Sequence, residues 1–202
     1  MARDPQLYRK MEKLMRETIS ERDVSQNDAE NGMELGSRIL RVNHAGEQGA
    51  ICIYTGQLLV ASLTAPSMRG ELLEFREDER RHRHIFHEEL VRRGKRRCRS
   101  YWFCAAGGFA LGVLTGLLGR RAIAATTLVV ERVVLHHLEW QIAELSGRDV
   151  AAVAAIQAII ADEREHHDSS RDTSQENSIL SRILITIVSF GTEAVIWLGM
   201  RL

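Results

Sequence analysis

The sequence predicts an all-α protein whose functional part is a four-helix bundle with a two-fold internal repeat. Apolar residues recur at intervals of three and four along four long segments, which is the spacing of one face of an α-helix. The chain of 202 residues contains only two prolines and is long enough for one bundle with a substantial core. The repeat is a pentapeptide that occurs twice, as DERRH at 78–82 and as DEREH at 162–166.

Each copy of the pentapeptide places a Glu three positions before a His, and these two positions share one helix face. Another Glu lies 32 positions before the Glu of each copy, so that all three residues repeat at one offset of 84 positions. The six residues are Glu47, Glu79 and His82 in the first half and Glu131, Glu163 and His166 in the second. Four Glu and two His on four helices match the ligand set of a carboxylate-bridged two-metal site.

Residues 1–36 are expected to form a peripheral N-terminal extension. A short amphipathic helix is predicted around 7–19, and the polar stretch SQNDAENG at 25–32 indicates a linker. The bundle domain is expected at 37–202. Its first two helices are predicted at 37–62 and from Pro66 to about Arg93, with Glu47, Glu79 and His82 within their apolar stripes, where solvated side chains would not be expected.

The second half repeats this arrangement, with helices predicted at 122–145 and 149–168. Glu131 is the one charge in its apolar series, which is a costly place for an unpaired carboxylate. Residues 169–178 are predicted to be a polar break. A last apolar helix is predicted at 179–200. Because it contains Arg182 and Glu193, we expect it to pack on the bundle or beside the apolar stretch 101–119 rather than to span a membrane.

Residues 101–119 carry no charge and follow the strongly basic stretch 91–99. Nineteen residues are close to the minimum for spanning a bilayer. Five glycines dilute the hydrophobicity, however, and Arg120 and Arg121 place positive charge at the far end too, against the usual one-sided orientation signal. The pattern favours a helix lying in the membrane interface, with arginines on anionic headgroups. A buried soluble helix and a true span stay open.

Composition and the N-terminal sequence argue against several classes of protein. Lys+Arg and Asp+Glu balance at 27 each, so the net charge gives no argument for a nucleic-acid partner. The three cysteines are an odd number without a CxxC pair, which favours a reducing compartment over a disulfide framework. Residues 1–20 lack the apolar run of a signal peptide and contain acids that transit peptides avoid.

Hard carboxylates combined with two imidazoles suit iron or manganese better than zinc or calcium. Four Glu can neutralise two divalent ions, with two Glu bridging and the others capping. Asp78 and Asp162 each lie four residues before a His of the pentapeptides. Each could therefore accept a hydrogen bond from that imidazole and orient it. A solvated Asp on the helix surface is the alternative.

The stretch RVNHAGEQGA around Glu47 resembles the signature of the demethoxyubiquinone hydroxylases. GGFALGVLTGLLG, ERVVLHHLEWQI and DEREHHD resemble later stretches of the same family in the same order, so that the resemblance covers about 37–202. It implies a ferritin-like di-iron monooxygenase that hydroxylates a polyprenylated demethoxy-benzoquinol in ubiquinone biosynthesis. Two iron ions per chain are implied at Glu47, Glu79, His82, Glu131, Glu163 and His166, with molecular oxygen as co-substrate.

Three further positions bear on the reaction. His137 is the candidate catalytic residue outside the six ligands, expected to act through them rather than to bind metal. Leu138 and Gln48 each stand where the family commonly has tyrosine, beside the histidine pair and beside Glu47 respectively. These departures concern the route by which electrons and protons reach the site, and they leave the six ligands intact.

Two other functions stay open. One is a bacterioferritin-type di-iron oxidase or peroxidase, and the other is a non-enzymatic membrane quinone-binding protein. The expected partners are a lipid-soluble quinol and a membrane surface, contacted through 101–119 and its basic flanks. The location implied is the cytoplasmic side of a bacterial inner membrane or the matrix side of the mitochondrial one. A homo-oligomer and a biosynthetic complex both remain open.

Overall fold

The computed structural model describes the backbone of residues 5–173 and 179–201. Within those ranges the protein is all-helical and contains no strand, as predicted. The helices are α1 (Pro5–Thr64), α2 (Arg69–Arg92), α3 (Tyr101–Leu117), α4 (Arg120–Leu145), α5 (Val150–Gln157), α6 (Ile160–Thr173) and α7 (Ile179–Gly199), with one short 3-10 turn at Pro66–Met68 between α1 and α2.

The bundle is formed by α1 packed on α2 and by α4 packed on α6. Its apolar core consists of two main clusters of buried side chains. One contains Leu40, Phe86, Leu138 and Ile156, and the other contains Tyr54, Leu72, Phe75, Ile123 and Ala124. Along α1, α2 and α4, the candidate metal ligands fall in sequence between residues of these two clusters, and on α6 Ile160, which packs against the first cluster, precedes Glu163 and His166. The site is therefore enclosed by apolar packing on both sides.

Helix α3 packs along α1 through a stripe of small residues. A methyl group added at Gly108 would collide with the backbone of Gly49, and one added at Gly112 would collide with that of Ile53. The glycines that dilute the hydrophobicity of 101–119 thus permit a close approach of two helix backbones.

The opposite face of α3 is apolar and exposed, with Trp102 at 63% and Phe103 at 77% of full exposure. In the part of the chain that the structure describes, no helix combines the length and hydrophobicity needed to cross a membrane.

The N-terminal region differs from the prediction, because α1 is one continuous helix from Pro5 to Thr64. The break expected at 25–32 is helical. That stretch contains no proline, and exposed polar side chains such as Asp28 and Glu30 are compatible with a solvated helix. The amphipathic face expected around 7–19 lies among side chains outside the described part. The domain boundary after residue 36 stays a prediction.

The segment 149–168, predicted as one helix, is divided into α5 and α6. Asp149 caps α5 by accepting a hydrogen bond from the backbone N–H of Ala152 (3.1 Å). At the break, the N–H of Ile159 bonds to the carbonyl of Ile156, three residues back, and α6 then begins. No proline or glycine marks this break. The predicted polar break at 169–178 is helical to Thr173, and 174–178 lie outside the described residues.

Candidate metal centre and adjoining cavity

The structure brings all six candidate ligands together in the centre of the bundle, and each is buried, with no more than 6% of its surface exposed. They form two groups of four that could each hold a metal ion. The first group is Glu47, Glu79, His82 and Glu163, and the second is Glu79, Glu131, Glu163 and His166. Within each group the ligand atoms lie within 4.8 Å of one another.

Glu79 and Glu163 belong to both groups, whereas each of the other four residues belongs to one. The 84-residue offset relates Glu47, Glu79 and His82 of the first group to Glu131, Glu163 and His166 of the second, and each group also contains the shared Glu of the other half. A carboxylate has two oxygens, so each shared Glu could contribute to two ions. Glu47 and Glu131 could each contribute to one. A two-fold relation between the two halves of the fold stays a prediction.

The donor set fits a metal, because its inner atoms are buried without conventional partners. Among the described residues, Nδ1 of His82, Nδ1 of His166 and one oxygen each of Glu79 and Glu163 have no partner in hydrogen-bonding geometry. They are nevertheless close: His82 Nδ1 lies 2.9 Å from Glu163 Oε1, and His166 Nδ1 lies 3.5 Å from Glu79 Oε1. Buried polar atoms left unpaired are costly, and one cation in each group of ligands would satisfy all four.

The metal-free cluster holds more carboxylates than the buried site can keep ionised. Burial and the nearby Glu79 charge raise the pKa of Glu47 well above its ordinary value and raise that of Glu163 to about 8. Burial and the Glu163 charge do the same to the pKa of Glu131. Burial also raises the pKa of Glu79, but polar contacts with Glu47 and His166 outweigh it and leave that pKa lowered. Metal ions would therefore have to displace protons.

The outer nitrogens of the two imidazoles bond to aspartates of the opposite helix. Nε2 of His82, on α2, lies 3.0 Å from Asp162 of α6, and Nε2 of His166, on α6, lies 3.1 Å from Asp78 of α2. The sequence-based pairing of each Asp with the His four residues later is wrong. The two aspartates do contact the imidazoles, but each contacts the imidazole of the other helix, because the tertiary structure decides which side chains meet.

Sequence reasoning missed Tyr54, which is buried on the inward face of α1. The Tyr54 hydroxyl donates a hydrogen bond of 2.9 Å to Glu131. Burial and the Glu131 charge raise the pKa of Tyr54 well above its ordinary value, so that the phenol stays protonated. The signal in the sequence is its position seven residues, or two turns, after Glu47 on the same face.

Gln48 and Leu138 occupy different surroundings. Gln48 accepts hydrogen bonds from Arg83 and from the Tyr101 hydroxyl, the latter at 2.8 Å. A phenol of α3 thus lies against the residue that follows Glu47. Leu138 is buried in the apolar core, where it makes no polar contribution.

A cavity of about 340 Å³ opens from the ligand cluster. Its wall includes the four Glu of the cluster and, beyond them, mostly apolar or small side chains of α1, α3, α4 and α7. His137 lies in this wall, and its Nε2 is 3.0 Å from Glu193 of α7. His137 is therefore at the cavity but outside both groups of ligands, and a catalytic role for it stays a prediction.

Comparison with known proteins identifies the family of the chain. The family described as ubiquinone biosynthesis protein COQ7 matches residues 34–199. The chain belongs to the COQ7 family. Among named relatives of this family, the Homo sapiens NADPH-dependent 3-demethoxyubiquinone 3-hydroxylase, mitochondrial, is 34% identical over 169 residues, which cover 82% of this chain and 77% of the relative.

Two more relatives extend the comparison. The Bos taurus protein of the same name is 32% identical over 173 residues, covering 84% of this chain and 79% of its own length. The 3-demethoxyubiquinol 3-hydroxylase of Rhodospirillum rubrum is 32% identical over 169 residues, covering 81% and 77%. All six residues of the buried cluster fall within the part of the chain that matches the COQ7 family.

Proposed function

We propose that the chain is a 3-demethoxyubiquinol 3-hydroxylase that acts in ubiquinone biosynthesis with a dinuclear iron centre. Membership of the COQ7 family and the names of its relatives support the reaction. The observation that carries the metal centre is the sharing of Glu79 and Glu163 between two buried groups of ligands. Iron bound there would supply the redox chemistry that activates molecular oxygen toward the quinol ring.

The residues of the chain prepare the site for that chemistry. Asp162 and Asp78 hold the Nε2 nitrogens of His82 and His166, which leaves both Nδ1 nitrogens facing the carboxylates. Tyr54 holds one oxygen of Glu131 by a hydrogen bond. Apolar packing on both sides excludes water, which strengthens electrostatic interactions within the centre.

The cavity supports an organic substrate over the oxidase alternative. Its volume of about 340 Å³ lies in the range of small-molecule sites, and its mostly apolar wall suits a benzoquinol ring with an apolar tail. A reciprocal pair of amides offers polar contacts in this wall: Asn43 donates to Gln141 at 2.8 Å and accepts from it at 3.1 Å. An enzyme that acts only on iron(II) and dioxygen or peroxide needs no such cavity.

The reaction is tested with purified, iron-loaded protein, demethoxyubiquinol, a chemical reductant and heavy-isotope dioxygen. Hydroxylation forms one C–O bond and breaks one C–H bond. The second oxygen atom leaves as water, and the reductant supplies two electrons. We expect a product heavier by one labelled oxygen atom. Oxygen consumption without a hydroxylated product would favour the oxidase, and unchanged quinol without oxygen consumption would favour the quinone-binding protein.

We further propose that the exposed apolar face of α3 rests on a membrane surface. Trp102 and Phe103 project there beside the basic stretch 91–99, which suits anionic headgroups. A lipid-soluble quinol could then pass into the cavity, whose wall includes Phe103, without entering water. We infer that this membrane is the bacterial or mitochondrial inner membrane and that the protein lies on its inner face.

Flotation with vesicles of anionic lipid tests this proposal. The double substitution Trp102→Glu and Phe103→Glu should reduce the bound fraction several-fold. Leu73→Glu is the matched control, because Leu73 is an exposed apolar residue of α2. Equal flotation of the wild-type protein and the double variant would reject α3 as the contact surface.

A further inference from the structure

Arg81 links the two aspartates that hold the imidazoles of the candidate metal centre. Its Nη1 donates to Asp78 Oδ1 and its Nη2 donates to Asp162 Oδ2, both at 2.7 Å. One guanidinium therefore spans a carboxylate of α2 and a carboxylate of α6. Each of these carboxylates also contacts the imidazole of the opposite helix, Asp78 that of His166 and Asp162 that of His82.

The position of this link separates it from ordinary surface ion pairs. Arg81 is half-exposed, with 52% of its side chain accessible, whereas the two imidazoles beneath it are at most 2% accessible. The aspartates lie between, at 28% and 32%. A connected layer of polar groups thus extends from solvent to the buried nitrogens. An aspartate without the guanidinium would keep one contact and gain freedom to rotate.

We propose that Arg81 is a positioning residue that fixes both aspartates and, through them, the orientation of both ligand imidazoles. The proposal rests on the proposed metal centre. Because Nε2 of each imidazole bonds outward to an aspartate, Nδ1 points toward the shared carboxylates. Arg81 contacts both aspartates and so fixes this orientation for both imidazoles. The rigid, planar fork of the guanidinium suits the task, because two carboxylates on different helices need two donors in a fixed relation.

Neighbouring Arg80 provides a matched control. It is also a half-exposed arginine of α2, but its Nη1 pairs with Glu77 on the same helix at 3.0 Å. Exposed ion pairs of this kind contribute little to stability. Arg80→Gln removes the same charge from the same helix and leaves the aspartate link intact. Arg81→Lys keeps the charge and removes the fork.

The test is an anaerobic titration of the full-length protein with cobalt(II), which reports affinity and, through its visible spectrum, ligand geometry. Loss of a residue that orients metal ligands typically costs about 10–100-fold in metal affinity. We expect Arg81→Gln to lower cobalt affinity by about tenfold or more and to change the spectrum. Arg81→Lys should restore part of the affinity, and Arg80→Gln should match the wild-type protein in both readouts.

The outcomes separate this inference from the proposed function. Wild-type affinity and spectrum in Arg81→Gln would overturn the role of Arg81 while leaving the metal centre in place. An equal loss in Arg80→Gln would also overturn it, because the effect would then be one of surface charge. Failure of the wild-type protein to bind cobalt would overturn the metal centre itself. If Arg81→Gln does not fold, Arg81→Lys decides, and wild-type behaviour of that variant would reject the need for the fork.

Discussion

The hydroxyl of Tyr54 donates a hydrogen bond of 2.9 Å to Glu131 inside the bundle, across 77 positions of the sequence. Tyr54 also lies against Phe75, with ring centroids 5.8 Å apart, and Phe75 in turn packs on His166 at 4.2 Å. One aromatic pair thus supports two candidate ligands from the apolar side. A phenol at this place restricts Glu131 to one orientation without contributing a charge.

Tyr54→Phe should weaken metal binding more than it weakens the fold. The hydrogen bond contributes about 1 kcal/mol to the metal-free protein. With metal bound, Glu131 is ionised and hydrogen bonds to charged groups are stronger, so we expect metal affinity to fall by roughly tenfold. Urea unfolding of the metal-free protein and anaerobic iron(II) titration measure the two effects.

Tyr101→Phe is the control for this change, because the Tyr101 hydroxyl bonds to Gln48 rather than to a ligand. Its metal affinity should stay close to that of the wild-type protein. Equal affinity in Tyr54→Phe and the wild-type protein would contradict the role given to the phenol.

The clustering of the six candidate ligands could be predicted from the sequence, because their spacing records helix faces directly. A Glu and a His three residues apart, inside an apolar stripe, must face the core together whatever the partner helices are. The spacing of apolar residues at intervals of three and four likewise predicted α2 and α4 and indicated that Glu47 and Glu131 face the core.

Relations between helices could not be predicted in this way. Asp78 and His82 share a face of α2, so the sequence suggested that they pair, yet Asp78 contacts His166 of α6. The close contact of Gly112 with the backbone of α1 could not be predicted either. In the sequence, a glycine at a helix contact cannot be told from one that only lowers the hydrophobicity of the helix. The helical character of 25–32 was missed because polar composition alone does not end a helix.

The metal-free protein should lose stability as pH rises from 6 to 9. The pKa of Glu163 is raised from 4.5 to about 8, so its contribution to stability is present below 4.5 and is lost as pH rises through 8. The pKa of His166 is raised from 6.5 to about 9, and its contribution is lost through that value. We expect the melting temperature to fall by more than about 5 °C, since one pKa unit corresponds to about 1.4 kcal/mol and 1 kcal/mol shifts the melting temperature by about 2–4 °C in a protein of this size.

Two variants test the cause of this pH dependence. Glu163→Gln mimics the protonated carboxyl, so its melting temperature should decline less steeply over the same range. Glu165→Gln, on the exposed side of α6, should keep the wild-type slope. Parallel slopes in the wild-type protein and Glu163→Gln would show that the buried carboxylate is not responsible.

Gly112→Ala should destabilise the packing of α3 on α1. The added methyl group would meet the backbone of Ile53, which cannot rotate away as a side chain could. We expect the free energy of unfolding to fall by about 1–3 kcal/mol, the usual cost of overpacking.

Gly107→Ala is the control, because nothing lies within 4 Å of a methyl group at that position. It should stabilise α3 by up to about 1 kcal/mol through helix propensity. Urea unfolding that ranks the two variants in the opposite order would contradict the packing.

The most direct test of the account is the iron content of the purified protein and of two ligand variants after anaerobic loading. Because Glu79 is shared by both groups and Glu47 belongs to one, the two residues should have different effects. We expect two iron ions per chain in the wild-type protein, one in Glu47→Gln and almost none in Glu79→Gln. Glu77→Gln, on the exposed side of α2, should keep both. Two iron ions in Glu79→Gln, or none in the wild-type protein, would contradict a centre bridged by the shared carboxylates.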